Sequence, residues 1–248
     1  MSNAITLLKP SECALVLVDH QAGLAFGVES IDRQTLLNNA VALARTAVVF
    51  GLPVVVSTSA TKVYSGPLMP AIQGVLPGVK VIERHNMNLW EDDTVRSAVE
   101  GTGRRRLLIS GLLTEACVTF PALSALQDGY EVFIVADACG GLTAVGHELA
   151  LRRMAAAGAV ITSWAQVLLE LQRDWTRHET YSGARAIVES NGGGYGIGLA
   201  YSRDMIHQTD FCGVMADRSL EIYAPRATTQ RRENSRRESL RKKSKHRI

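Results

Sequence analysis

The sequence predicts an α/β fold: a three-layer sandwich in which a six-stranded, mainly parallel sheet lies between helices on both faces. Three observations carry this. Short aliphatic runs such as Ala14–Asp19 (ALVLVD) and Arg106–Ser110 (RLLIS) have the composition of strands buried on both faces. Segments of helical periodicity alternate with them, and the runs close on a carboxylate, a glycine or another polar residue, as strand tips beside a crevice do. The order 3-2-1-4-5-6, adopted as the common arrangement of such sheets rather than fixed by the residues, sets strands 1 and 4 side by side where the order reverses.

Taken in order, Ala14–Asp19 is the first strand and puts Asp19 at its tip. His20–Ser30 follows as a loop. Asp32 can cap a helix that runs to Phe50 on Leu36, Leu37, Val41, Leu43 and Ala44 and stops at Gly51. Pro53–Ser57 is the second strand, and Thr58–Gly78, with prolines at Pro67, Pro70 and Pro77, is a long connection of the kind that often carries function. Val79–Ile82 is a short third strand; Glu83–Glu91 is a polar loop holding Arg84, Asn86, Asn88 and Trp90. Asp92 and Asp93 open a helix to Glu100, Arg106–Ser110 is the fourth strand, and Gly111–Thr114 turns the chain into a helix over Glu115–Gln127. Glu131–Ala136 is the fifth strand, Gly146–Ala157 a helix, Val160–Thr162 the sixth strand, and Ala165–Trp175 a last helix. The glycine cluster Gly192–Gly198 lacks the lysine of a phosphate loop and reads as a flexible connection.

With 248 residues, 46% of them hydrophobic, the chain can bury one sizeable core. Residues 1–12 lack the basic start and apolar stretch of a signal peptide, and no run approaches the ~20 apolar residues that span a bilayer, so a cytoplasmic protein without membrane contact is expected. Four cysteines, Cys13, Cys117, Cys139 and Cys212, show no paired spacing, which predicts free thiols and neither a disulfide framework nor a thiolate metal site. The net charge of +3 is a property of one end: Arg226–Ile248 holds 10 of the 27 Lys and Arg and only 2 of the 24 Asp and Glu. The rest is mildly acidic, and the basic run is expected to be a solvated, disordered tail rather than a nucleic-acid site.

Cys117 is the candidate nucleophile. At the start of a helix, unpaired N–H groups and the positive dipole end favour the thiolate, the form that attacks carbonyl carbon. Packing as a small apolar residue is the plainer alternative. Strand 1 beside strand 4 brings Asp19 to the same crevice, where a carboxylate can take the thiol proton as general base; capping a loop is its structural alternative. Arg84 stays charged and can hold a thiolate or an oxyanion, or else form a surface ion pair with Glu83 or Asp92. Backbone N–H groups of Leu113, Thr114 and Cys117 are the expected oxyanion donors. Gln21, Phe26, Asn86, Asn88 and Trp90 are the expected pocket walls. Cys139, in DACGG, is a rival nucleophile in a less clearly capped setting, and the histidines His85, His147, His178 and His207 show no ligand spacing.

With Asp19 in ALVLVDHQ, Arg84 before HNMNLWED, and Cys117 in GLLTEACVTFPALSALQDGYEV, the chain resembles the isochorismatase-like cysteine hydrolases over Ala14–Trp175, most closely their YcaC-like branch. The resemblance implies the fold above and a catalytic Asp, Lys and Cys, mapping to Asp19, Arg84 and Cys117, with a cis peptide just before the threonine of the cysteine turn, at Leu113–Thr114. Arginine stands where many members have lysine, which supplies charge but no proton. The aspartate and histidines that bind metal in nicotinamidases of the family are replaced by Thr58–Tyr64 (TSATKVY), and true isochorismatases lack the cysteine. The expectation is therefore a cofactor-free, metal-independent homo-oligomer that hydrolyses a small amide or related acyl compound. A non-catalytic binding or scaffold protein on the same fold is the alternative. The hydrolase domain is expected at 1–178, an extension packing on it or on a neighbouring subunit at 179–225, and the tail at 226–248.

Overall fold

The computed structural model describes residues 6–206. The chain divides into two units, 1–200 and 201–248, and of the second only the turn Ser202–Ile206 and Tyr201 fall within the described residues. The expected basic tail and residues 207–225 of the extension lie outside them.

The described residues form β1 (Cys13–Val18), α1 (Ala22–Phe26), α2 (Arg33–Val49), β2 (Val54–Ser59), α3 (Pro70–Val75), β3 (Val81–Arg84), α4 (Asp93–Gly101), β4 (Arg106–Gly111), α5 (Thr119–Gln127), β5 (Glu131–Val135), α6 (Ala144–Ala156), β6 (Val160–Thr162), α7 (Trp164–Gln172), α8 (His178–Asn191) and α9 (Gly193–Tyr201). The six strands form one sheet in the order β3-β2-β1-β4-β5-β6, and every pairing is parallel. Fold class and strand order are those expected.

The sheet divides two apolar cores. Along β1, Leu15 and Leu17 join α2, α7 and α8 residues such as Leu36, Leu43, Leu168 and Ile187, whereas Ala14, Val16 and Val18 join Val95 and Val99 of α4, Ala122 of α5 and Met154 of α6. A strand of uninterrupted aliphatic composition follows directly from having both faces buried. Asp32 caps α2 through the Thr35 N–H at 2.8 Å and Asp92 caps α4, as expected, whereas α7 starts one residue earlier than expected, at a Ser163 cap. The start of α6 lies earlier than expected, because Thr143 accepts from the Gly146 N–H at 2.9 Å and caps the helix there.

Beyond α7 the sequence pattern weakens, yet α8 buries Ala184, Ile187 and Val188 in the α2 core. The expected flexible connection over Gly192–Gly198 is corrected: Gly193–Tyr201 is helical, and a Cβ on Gly196 would stand 2.3 Å from the Val188 carbonyl oxygen. Glycine there permits close helix contact, which local composition read in isolation hides. No helix among the described residues is long and apolar enough to cross a membrane.

The approach of β1 to β4 is equally tight. A Cβ added at Gly111, the partner of Val18 in register, would lie 2.2 Å from the Val18 carbonyl oxygen, which is backbone and cannot swing aside. Gly111→Ala is therefore expected to lower the unfolding free energy by about 1–3 kcal/mol or more, read as a reduced urea midpoint; an unchanged midpoint would contradict this packing.

Candidate active site

The site forms where β1, β2, β3 and β4 end. Asp19 directly follows β1, in the left-handed region at φ 53°, and its N–H donates to the Ser57 carbonyl at 2.9 Å. That conformation is uncommon for a residue with a Cβ and turns the carboxylate away from the direction a continuing strand would give it. Arg84 is the last residue of β3 and reaches back across β2. Its Nη1 and Nη2 donate to Asp19 Oδ1 and Oδ2, each at 2.6 Å, and both side chains are fully buried. Ser57, small enough to let the guanidinium pass, accepts from Nη1 at 3.0 Å; the Met87 carbonyl accepts from Nη2 at 3.3 Å. The surface pair with Glu83 or Asp92 is thus not formed by Arg84.

Cys117 enters from β4, on the π-helical turn Thr114–Val118 that leads into α5. The turn displaces it from the simple helix start that the sequence suggested. Burial, first of all, and the neighbouring Asp19 carboxylate push its pKa up to about 11; the Arg84 charge and the Leu113 backbone act the other way without prevailing. The expected dipole-favoured thiolate is corrected accordingly: at neutral pH the group is a thiol held against a carboxylate.

Two further expectations change. The cis peptide is Leu112–Leu113, one bond before the expected one. Leu112 still continues the sheet, donating to the Val18 carbonyl at 3.0 Å and bridging Gly140, so the chain turns only after it. The Thr114 N–H is already donated to the Gly140 carbonyl at 2.9 Å, which removes it from the expected oxyanion donors and leaves Leu113 and Cys117.

The expected pocket walls separate. Gln21 is buried and bonded to Ser59 on both its amide atoms, with a second bond from Nε2 to the Gly66 carbonyl, so it ties the loops after β1 and β2 together. Asn88 Oδ1 accepts from the Trp90 N–H, and its Nδ2 donates to Glu91 and to Ser124 of α5. Trp90 donates to Asp128 at 2.8 Å and packs edge-on against Tyr130 with ring centroids 5.2 Å apart. These two side chains anchor the loop after β3 to α5. Asn86 is exposed and donates to the Glu91 carbonyl at 3.3 Å, and Phe26 is 76% exposed on α1. Cys139 is fully buried, and burial pushes its thiol up to about 12.

Sequence reasoning missed Ser57 and His20. His20 is fully buried, its Nε2 lies 2.9 Å from Ser110 Oγ, and burial pushes its pKa down to about 4. Its place beside Asp19 in VDHQ was the available signal.

The isochorismatase-domain family model matches residues 13–166. A probable hydrolase, YcaC of Escherichia coli, is 39% identical over 176 residues, 71% of this chain and 85% of that protein. The crystal structure of the E. coli YcaC gene product, described as an octameric hydrolase of unknown specificity, superposes with a TM-score of 0.77 at 37% identity, covering 81% of this chain and 98% of that one. YcaC from Pseudomonas aeruginosa, solved with hexane-2,5-diol and covalent acrylamide, superposes with a TM-score of 0.76 at 38% identity, covering 80% and 97%.

Removing the guanidinium leaves a buried carboxylate uncompensated. Arg84→Met is expected to cost about 3–5 kcal/mol of stability, and Arg84→Lys less, because charge is kept while bidentate geometry is lost; urea unfolding of the two variants checks this, and equal losses would refute it. A second expectation concerns pH. Folded Cys13 and Cys117 hold their protons to about pH 11 and Cys139 to about 12, whereas unfolded thiols ionise near ~8.5. The folded state therefore binds more protons in that window, so this stability is intact below ~8.5 and is lost as pH rises, by about 1.4 kcal/mol per pH unit per thiol. Cys117→Ala should show a shallower alkaline decline than the parent by one thiol's share; superimposable declines would refute the raised pKa.

Proposed function

Because the chain belongs to the isochorismatase family, we propose that it is a cytoplasmic, homo-oligomeric cysteine hydrolase that cleaves a small amide or related acyl compound through a covalent thioester. The observation that carries this reading is Asp19 beside Cys117: its charge helps push the thiol up to about 11, and both its oxygens are held by buried Arg84. The covalent acrylamide in the P. aeruginosa relative and the octameric description of the E. coli one support it.

In this mechanism Asp19 takes the thiol proton as sulfur bonds to the carbonyl carbon and the carbonyl electron pair moves onto oxygen. The Leu113 and Cys117 N–H groups face the resulting oxyanion. Collapse breaks the carbon–nitrogen bond, and the leaving amine takes the proton from Asp19. Water then attacks the thioester with Asp19 again as base; the acid leaves, and the proton returns to sulfur. Arg84 does not relay a proton, because its guanidinium remains charged. It holds the base in place and offsets its charge while the proton moves.

Iodoacetamide labelling mapped by mass spectrometry is expected to modify Cys117 ahead of the fully buried Cys13 and Cys139. In a screen of small amides, Cys117→Ala should abolish turnover, and Asp19→Asn should lower kcat by about 10²–10⁴. Asp19→Asn should also lower the thiol pKa from about 11, because a neighbouring negative charge has gone; thiolate ultraviolet absorbance reads this directly. Loss of turnover despite an easier thiolate separates a base from a mere electrostatic neighbour. Slow, unselective labelling, or tight binding of amides without turnover, would instead favour a binding protein.

A further inference from the structure

The turn that carries Cys117 is held at its first residue from three directions. The Thr114 N–H donates to the Gly140 carbonyl at 2.9 Å, its carbonyl accepts from the Thr119 hydroxyl at 2.6 Å, and its Oγ1 lies 2.8 Å from Nδ1 of His147 on α6. The third contact joins the cysteine turn to a helix 33 residues further along the chain. Around it the backbone is shaped to fit. A Cβ on Gly141 would stand 3.0 Å from that of His147, and one on Gly146 would stand 2.7 Å from Glu115 Oε1, which accepts from the Leu142 N–H at 2.9 Å. Burial pushes the His147 pKa below its ordinary value, opposed by Glu115 and Glu148, so at neutral pH the ring offers one N–H and one acceptor.

Leu113, the residue immediately before Thr114, opens the cysteine turn: its carbonyl accepts from the Ala116 and Val118 N–H groups on either side of Cys117, at 3.2 and 3.3 Å, and its backbone helps hold the Cys117 pKa down. We infer that His147 is a positioning residue: through Thr114 Oγ1 it fixes the Leu113 N–H where negative charge develops on an attacked carbonyl oxygen. This rests on the reading of Cys117 as the nucleophile.

Two thiol reagents separate the roles without knowledge of the substrate. Acrylamide adds to sulfur at its terminal carbon; the alkene electrons move onto the amide oxygen as an enolate, and the proton taken by Asp19 is returned to the adjacent carbon. Iodoacetamide forms a sulfur–carbon bond and expels iodide with no charge building on its amide oxygen. Both need the thiol proton removed, so their rate ratio at Cys117 isolates stabilisation of the oxygen charge. His147→Ala is expected to lower the acrylamide rate by about 10²-fold while the iodoacetamide rate stays within about twofold. His147→Asn, which returns an amide near the Nδ1 position, should restore most of the ratio. Thr114→Val should reproduce the Ala effect, and the double variant should add little to either single change, as partners in one contact do; it also serves where His147→Ala fails to fold. A ratio indifferent to both substitutions, with Cys117 still labelled, overturns this inference alone. Absence of any Cys117 adduct in the parent protein overturns the nucleophile as well.

Discussion

The buried pair of Asp19 and Arg84 is the constraint on which the rest of this site depends. Taking two charges out of water costs several kcal/mol per ion, and attraction offsets that only with close, well-directed hydrogen bonds. Two bonds of 2.6 Å between matching planar groups meet the requirement. The partners come from β1 and β3, however, which are not adjacent, and the guanidinium has to cross β2. That crossing explains Ser57, whose small side chain leaves room and whose hydroxyl accepts one guanidinium hydrogen. It also fits the left-handed backbone at Asp19, which redirects the chain where β1 stops. Sheet order, side-chain size and local backbone conformation thus meet at one ion pair.

The same pair decides the state of the thiol. A helix start favours a thiolate only if the sulfur is solvated or faces net positive charge. Here the positive charge nearest the sulfur is already matched by Asp19, and burial adds its own penalty on ionisation. Arg84 therefore does not act on Cys117 as a free cation would. What reaches the sulfur is a carboxylate ready to accept a hydrogen bond, with the arginine behind it.

Much of this was legible in the residues, and the exceptions have physical causes. Asp19 and Cys117 could be placed because each ends a local pattern, one an aliphatic run and the other a strand followed by a turn. Strand order then brought them together, and α2 and α4 start at caps readable from single side chains. Gln21, Asn88 and Trp90 show why wall residues are hard to read from sequence: a polar or aromatic residue on a strand-tip loop looks the same whether it faces a ligand or holds its own loop. Only their partners, Ser59, Ser124 and Asp128, distinguish the two, and those lie 38, 36 and 38 residues away. Thr114 was misread for a related reason: a turn amide is open for an oxyanion only if no carbonyl from another loop has taken it, and Gly140 has. The helical run after Gly192 depends on close contact with α8, which glycine composition read locally does not reveal.

Arginine in place of lysine also narrows the chemistry. A lysine beside a catalytic carboxylate is a single point charge whose pKa responds to burial, so it can share in proton movement. Arginine keeps its charge and occupies both carboxylate oxygens along fixed directions. Each oxygen nevertheless has a second lone pair, and a carboxylate that accepts two guanidinium bonds can still accept the thiol. In the proposed mechanism the proton then moves only between sulfur, Asp19 and the leaving group. Arg84 in that mechanism makes Asp19 a well-fixed base, and selectivity would fall to the loops around it. Among these, the loops after β1 and β3 are tied by Gln21 and Asn88 to the scaffold, while Phe26 and Asn86 are exposed.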